Sequence, residues 1–269
     1  MLGKLIKYEF KGTARLYLPF FALLVLLTVV NRFSLQFSVS HSEIMEIPSV
    51  LAMMLYIVAV IAIFVIAMVA TVQRFYKNFM TDEGYLMFTL PVSQDGLILS
   101  KLIVATIWNI FSVLIAMLSL FFLMVDEDIW SALVAGVGEL QELAATYGIN
   151  LFSVCAITLL TMLVGLVAGI LQIYAAVVIG CTSSRHKLIL GLGVYLGFNV
   201  VMQTASLVML PLIMNWLTTI NELGDSFTPQ QAMGFFQGVM LLGLVFSLVF
   251  GVIYYIITRL MLKKKLNLE

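Results

Sequence analysis

Apolar residues in this chain come in long runs separated by short clusters of charge. The stretches free of Asp, Glu, Lys and Arg are Leu16 to Asn31, Ile47 to Gln73, Leu102 to Val125, Leu143 to Ser184, Leu188 to Asn221 and Ser226 to Thr258. A hydrocarbon core about 30 Å thick needs roughly 20 consecutive helical residues. Every run but the first is long enough, and the first can continue past Arg32 through Phe33 and Leu35. Alternating strands of roughly ten residues are absent, and lipid cannot satisfy a bare peptide group, so helix is the economical choice. The pattern predicts an all-α polytopic membrane protein with six transmembrane helices. Its single transmembrane domain would cover residues 1–269, with spans at about 16–38, 49–73, 97–125, 151–181, 188–217 and 233–260.

The run from Leu143 to Ser184 admits either one span with an interfacial lead-in or two short spans forming a hairpin. Charge placement decides between them. With six spans, every basic residue except Arg32 falls on the amino-terminal side of the membrane. The positive-inside bias then puts both termini in the cytoplasm. A seventh span would send Arg185, Lys187 and the Lys263 to Lys265 cluster outside, and no Pro or Asn-Gly turn interrupts the run to support it. Acidic residues agree: Glu43, Glu46, Asp126, Glu127, Asp128, Glu139, Glu142, Glu222 and Asp225 all lie outside. They carry little topogenic weight. Basic residues before the first apolar run resemble the start of a signal peptide, but that run continues without a small-residue cleavage site and reads as the first span.

Composition sharpens this picture. Only 10% of the 269 residues are charged, against about 25% in an average soluble domain. Hydrophobic residues make up 62%, and the mean hydropathy is +1.12. A water-soluble globule is excluded. The zero net charge hides the segregation of 14 basic and 14 acidic residues along the chain. Cys155 and Cys181 lie about 39 Å apart along one helix at 1.5 Å per residue, too far to pair within it. Both read as buried packing thiols.

Three segments at the membrane surfaces stand out. Lys4, Lys7, Lys11 and Arg15 recur at helical spacing, with Leu2, Leu5, Ile6 and Phe10 on another side. Residues 1–15 therefore read as an amphipathic elbow helix along the inner surface, or as plain topogenic charge. Glu9 falls among the apolar positions, which calls for a hydrogen-bonding protein neighbour or an imperfect helix. The connection from Arg74 to Ser93 is the longest on the cytoplasmic side and oddly apolar, with Tyr85, Leu86, Met87, Phe88 and Leu90. Such a patch marks a partner surface or a membrane face. Thr81 or Asp82 can cap a short helix there, Pro91 stops it, and Ser93 can cap span three. The alternative is a loop tucked against the bilayer. Outside, Asp126, Glu127 and Asp128 match no calcium loop and read as solvated acidic surface, while Trp130 and Tyr147 suit the membrane interface. Asn221 to Gln231, with Gly224 and Pro229, is a turn.

Much chemistry is missing. No Asp, Glu, Lys, Arg or His falls in the core of a span, where carriers coupled to protons or ions place such groups. The polar residues there include Asn109, Gln172, Asn199 and Gln203. Interhelical hydrogen bonding is their structural role and lining a substrate path the functional one, for which Asn109 and Asn199 are the candidates. Gly165 with Gly169, and Gly193 with Gly197, have the spacing of close helix packing. H-E-x-x-H is absent, as are a Cys cluster and the G-x-x-x-x-G-K-[ST] phosphate loop, so no metal site, catalytic residue or enzyme activity is expected in this chain. The scattered basic residues argue against nucleic-acid binding.

Lys4-Leu-Ile-Lys-Tyr-Glu-Phe-Lys11, six spans, and Phe79-Met-Thr-Asp-Glu-Gly-Tyr-Leu-Met-Phe-Thr-Leu-Pro-Val92 together resemble a bacterial ATP-binding-cassette transporter permease. More narrowly, the chain resembles type-2 exporter permeases of Gram-positive organisms. The resemblance implies a multi-pass subunit of the bacterial plasma membrane, with an elbow helix and a cytoplasmic coupling helix between spans two and three. That helix would dock on a separate cytoplasmic ATPase through Glu83, Gly84, Tyr85, Met87, Phe88 and Leu90. Two permeases, identical or paralogous, and two ATPases would form the working unit, with ATP and Mg bound on the ATPase and no cofactor here. Alternating access would move an unidentified substrate. A membrane scaffold or sensor that binds a cytoplasmic partner but moves nothing is the alternative reading.

Overall fold

The computed structural model describes residues 2–40, 46–80, 93–183, 186–223 and 228–266. These form seven α-helices: α1 (Leu2–Ser40), α2 (Glu46–Met80), α3 (Gln94–Met124), α4 (Glu127–Thr146), α5 (Leu151–Gly180), α6 (Lys187–Leu223) and α7 (Pro229–Leu266). All but α4 are long and apolar enough to cross a membrane. The Leu143 to Ser184 run holds one such helix, α5, preceded by the end of α4 and a short connection.

Residues 2–15, expected as an amphipathic elbow helix, are the opening of α1, which runs from Leu2 to Ser40 with Pro19 inside it. A proline withdraws only one donor from the ladder, and its neighbours re-satisfy the freed carbonyl in membrane helices. The segment after Val125, for which the sequence offered no secondary-structure assignment, is a regular 20-residue helix.

Local sequence explains the ends. Ser93 caps α3 as expected, its side chain accepting from the Gly96 amide at 3.3 Å. Asn150 does the same for α5, accepting from the Ser153 amide at 3.2 Å. At the start of α7, the Gln231 amide points to Thr228 Oγ1 (3.4 Å) while the Thr228 amide donates to Gln231 Oε1 (2.9 Å), a capping box with Pro229 as first helical residue. Helix α4 closes with Gly148 at φ +62°. There the Ile149 amide reaches Ala144 O (2.8 Å) and the Gly148 amide Ala145 O (3.3 Å), the paired bonds of a Schellman motif.

The helices fall into two compact units, Met1–Leu133 and Val134–Glu269. In the first, α1 packs along both α2 and α3. Its core contains Tyr17, Phe21, Leu24, Tyr56, Ile63 and Trp108. Trp108 is stacked on both faces, 4.8 Å from Phe10 and 4.8 Å from Tyr17 between ring centroids. Asn31 of α1 donates to Ala52 O of α2 (2.9 Å), and Tyr56 of α2 shares a hydrogen bond with Ser119 of α3 (2.8 Å).

The second unit repeats this plan, with α5 packed along α6 and α7. Small residues bring α5 and α7 together. A Cβ at Gly251 would lie 3.4 Å from Ala168 Cβ, one at Gly243 3.9 Å from Thr161, and Gly165 faces Ser247 at 4.0 Å. The stripe Gly243, Ser247, Gly251 is thus the packing face on α7. Gly169, Gly193 and Gly197, expected to serve close packing, have no described atom within 4 Å of where a Cβ would stand. Between α5 and α6 the backbones touch: a Cβ at Gly180 would fall 2.6 Å from Gly191 Cα. Cys181 is buried there, whereas Cys155, expected to be buried, is exposed on the surface of α5.

Candidate functional site

The described residues place a charged joint in the amino-terminal unit. Glu9 of α1 accepts from Lys101 Nζ of α3 at 2.6 Å and from Asn78 Nδ2 of α2 at 3.0 Å, both on Oε1. Arg74 of α2 reaches its other oxygen, Oε2, at 3.4 Å. The Lys101 side chain is 4% exposed and that of Glu9 11%. Charges this deep persist only when paired and hydrogen-bonded. Lys101 Nζ also lies 5.4 Å from the centre of the Phe79 ring, a cation–π distance. Gly12, one turn after Glu9, leaves the room that the Arg74 guanidinium occupies, 3.0 Å from where a Cβ would be.

Glu9 therefore has the neighbouring protein groups that its apolar surroundings called for. The sequence left those partners unassigned because they are remote: none stands at the i±3 or i±4 positions through which a helix pairs its own charges. One carboxylate meeting two cations carries a net positive charge. It also ties three helices at one end. The location matters more than the charge. Asn78 and Phe79 lie in the last turn of α2, which ends at Met80, and Lys101 lies two turns into α3, which Ser93 caps. The connection from 81 to 92 thus enters and leaves through the two helices that Glu9 binds. Glu83, Gly84, Tyr85, Met87, Phe88 and Leu90, the expected docking residues, lie outside the described residues, as do Thr81, Asp82 and Pro91.

At the other end of this unit, Arg32 donates to Leu123 O (3.1 Å) and Val125 O (3.0 Å), and its guanidinium lies 2.6 Å from Asp126. Arg32 thus satisfies carbonyls at the end of α3. Among the described residues no three His, Cys, Asp or Glu side chains converge as a metal site would require.

Asn109 and Asn199 are both half-buried. Asn109 donates to Ala105 O on its own helix (2.8 Å) and stands 3.5 Å from Thr71 Oγ1 of α2. Asn199 donates to Tyr195 O (2.8 Å), again on its own helix. One lies in each unit. Each amide nitrogen donates to a carbonyl of its own helix. Gln172 Nε2 and Tyr254 OH are the buried polar atoms of the second unit without a hydrogen-bond partner among the described residues. Gln172 stands out in the sequence as a polar residue within an apolar run, whereas Tyr254 does not, since burial and not residue type distinguishes it. Comparison with known protein families, curated proteins and solved structures yields no match to this chain in any of the three.

Proposed function

We propose that this chain is the membrane-spanning permease subunit of an ATP-binding-cassette exporter in a bacterial plasma membrane, with both termini in the cytoplasm. It has no nucleotide loop, so the work arrives from a separate ATPase that binds ATP and Mg. A second permease, a copy or a paralogue, completes the transporter. Alternating access then moves the substrate as the ATPase pair closes and reopens.

The observation that carries this reading is the joint around Glu9. An apolar cytoplasmic segment, 82 to 91, is the natural docking face for the ATPase. Its flanking helices are locked to α1 through buried charge, with Glu9 bonded to Lys101 at 2.6 Å. A push on that segment is therefore delivered to three helices together rather than dissipated in one. Packed side chains and hydrogen-bonded charges that join rigid helices are one physical route for such coupling.

The test replaces Tyr85 and Phe88 with Glu and measures co-purification with the ATPase and its rate of hydrolysis. Both fall at least about tenfold if two apolar anchors of a small interface are lost, since each accounts for 1 to 3 kcal/mol. Normal insertion with both quantities unchanged refutes the docking assignment. Asn109 and Asn199 enter as candidate lining only: Asn109→Ala and Asn199→Ala alter transport without altering ATPase binding if they face the substrate.

A further inference from the structure

We propose that α4 is an interfacial helix, lying along the outer membrane surface with its apolar face in the headgroup and acyl boundary. The inference rests on the six-span topology proposed above, in which α3 ends and α5 begins at the outer face.

Helical periodicity puts Ile129, Trp130, Leu133, Val137, Leu140 and Ala144 on one arc of α4. Asp128, Ser131, Glu139 and Glu142 occupy the opposite arc. Ala144 is buried, but Leu140 is 59% exposed, Trp130 55% and Val137 53%. A row of large apolar side chains open along a regular helix needs a cover.

Tethering identifies the cover. Two residues join α3 to α4, and four join α4 to α5. Twenty residues of helix are about 30 Å long, while four extended residues reach at most about 14 Å. With the apolar start of α5, Leu151 and Phe152, entering the membrane, an upright α4 would hold its far end well beyond that reach, and a helix running along the face to which both ends are tied fits the two connections. The Schellman motif at Gly148 and the Asn150 cap shorten the second connection further. Arg32 holds the first by its bonds to Val125 O and Asp126. A helix lying in that plane meets lipid on one side and water on the other, and the two arcs match those two solvents. Residues 126 to 150 contain five acidic residues and no basic one. Binding therefore comes from apolar area and not from attraction to anionic headgroups.

The test uses the full chain carrying Cys155→Ser and Cys181→Ser, with either Leu140→Cys or Glu142→Cys labelled by an environment-sensitive fluorophore. The protein is reconstituted in phosphatidylcholine vesicles whose acyl chains are brominated near the headgroup or near the chain end. Shallow bromine is expected to quench the label at 140 at least about threefold more than the label at 142, as an in-plane amphipathic helix requires. Aqueous iodide reverses that order, and adding phosphatidylglycerol changes neither. Equal access of iodide to both labels overturns the proposal in favour of a solvated helix. Protection of the 140 label from both quenchers overturns it in favour of a protein cover, such as a second copy. If deep bromine quenches both labels, α4 crosses the bilayer, and the six-span topology falls with it; the other two results leave that topology standing. The pair Leu133→Cys and Ser131→Cys repeats the comparison if the first pair does not insert.

Discussion

Glu9 is a carboxylate whose removal leaves more behind than it takes away. Lys101 is almost fully enclosed and bonded to it at 2.6 Å. Breaking one partner of a buried pair typically costs about 3 to 5 kcal/mol because the other charge stays buried, whereas replacing both with apolar groups is often neutral. Glu9→Gln is thus expected to lower unfolding stability in detergent by about that amount, and adding Lys101→Met to recover most of it. A single variant as stable as the parent would show that Lys101 finds another anion. Glycines give a second contrast at this scale. Gly180→Ala drives a methyl to 2.6 Å from the Gly191 backbone, which cannot swing aside as a side chain can. Overpacking of this kind costs about 1 to 3 kcal/mol. Gly193→Ala meets no described atom within 4 Å and gains helix propensity, so it is expected to leave stability unchanged or slightly higher. Thermal unfolding of the two variants beside the parent separates a backbone contact from a mere small-residue spacing.

Elements end where polar groups finish them, and the end of α3 shows which contact dominates. Arg32 bonds two carbonyls and the Asp126 carboxylate, but the Asp126 side chain is 68% exposed against 21% for Arg32. An exposed ion pair contributes about 0 to 1 kcal/mol, while a hydrogen bond from a charged donor contributes about 1.5 to 3. Arg32→Ala is therefore expected to lower the unfolding temperature clearly and Asp126→Asn barely, and equal losses would assign the effect to the ion pair instead. The same distinction between local and remote partners governs how far the sequence could be read. Six apolar runs announced six helices, because bilayer thickness and backbone satisfaction leave few other options. Ser93 announced its cap because a cap is local. The capping box at Thr228 was equally local but was read as a turn, its Pro and Gly outweighing the Thr-to-Gln spacing. Helix α4 was legible only through the helical period of its apolar positions, because the acidic residues at its start suit any solvated surface. The joint between Glu9, Arg74, Asn78 and Lys101 was only half legible: a charge on an apolar face signals a partner but cannot say which. Gly243, Ser247 and Gly251 were passed over for Gly193 and Gly197, as spacing alone cannot tell which face a helix turns to its neighbour.

Across the whole chain, charge and helix count make one joint statement about sidedness. Lys4, Lys7, Lys11 and Arg15 open α1, Arg74 and Lys77 end α2, Arg185 and Lys187 precede or open α6, and Arg259 with Lys263 to Lys265 ends the apolar part of α7. Six crossings bring all of these to one face, whereas splitting the Leu143 to Ser184 run would divide them between two. The helix α5, continuous from Leu151 to Gly180, is itself about one span plus a few turns and leaves no break at which to split. Basic residues near span ends are held back on the cytoplasmic side, so the first arrangement is the favoured one. That arrangement predicts where reagents reach. In a background with Cys155→Ser and Cys181→Ser, a cysteine at Glu127 or Thr228 is expected to react with a membrane-impermeant maleimide on intact cells. One at Ser183 or Lys77 is expected to react only after the cells are opened. Labelling at Ser183 from outside, with Lys77 still protected, would reveal an extra crossing after α3 and put Lys187 and Lys263 on the far side. It would leave the first unit and its Glu9 joint intact, because those depend only on α1, α2 and α3, while removing the carboxyl-terminal half from the proposed exporter topology.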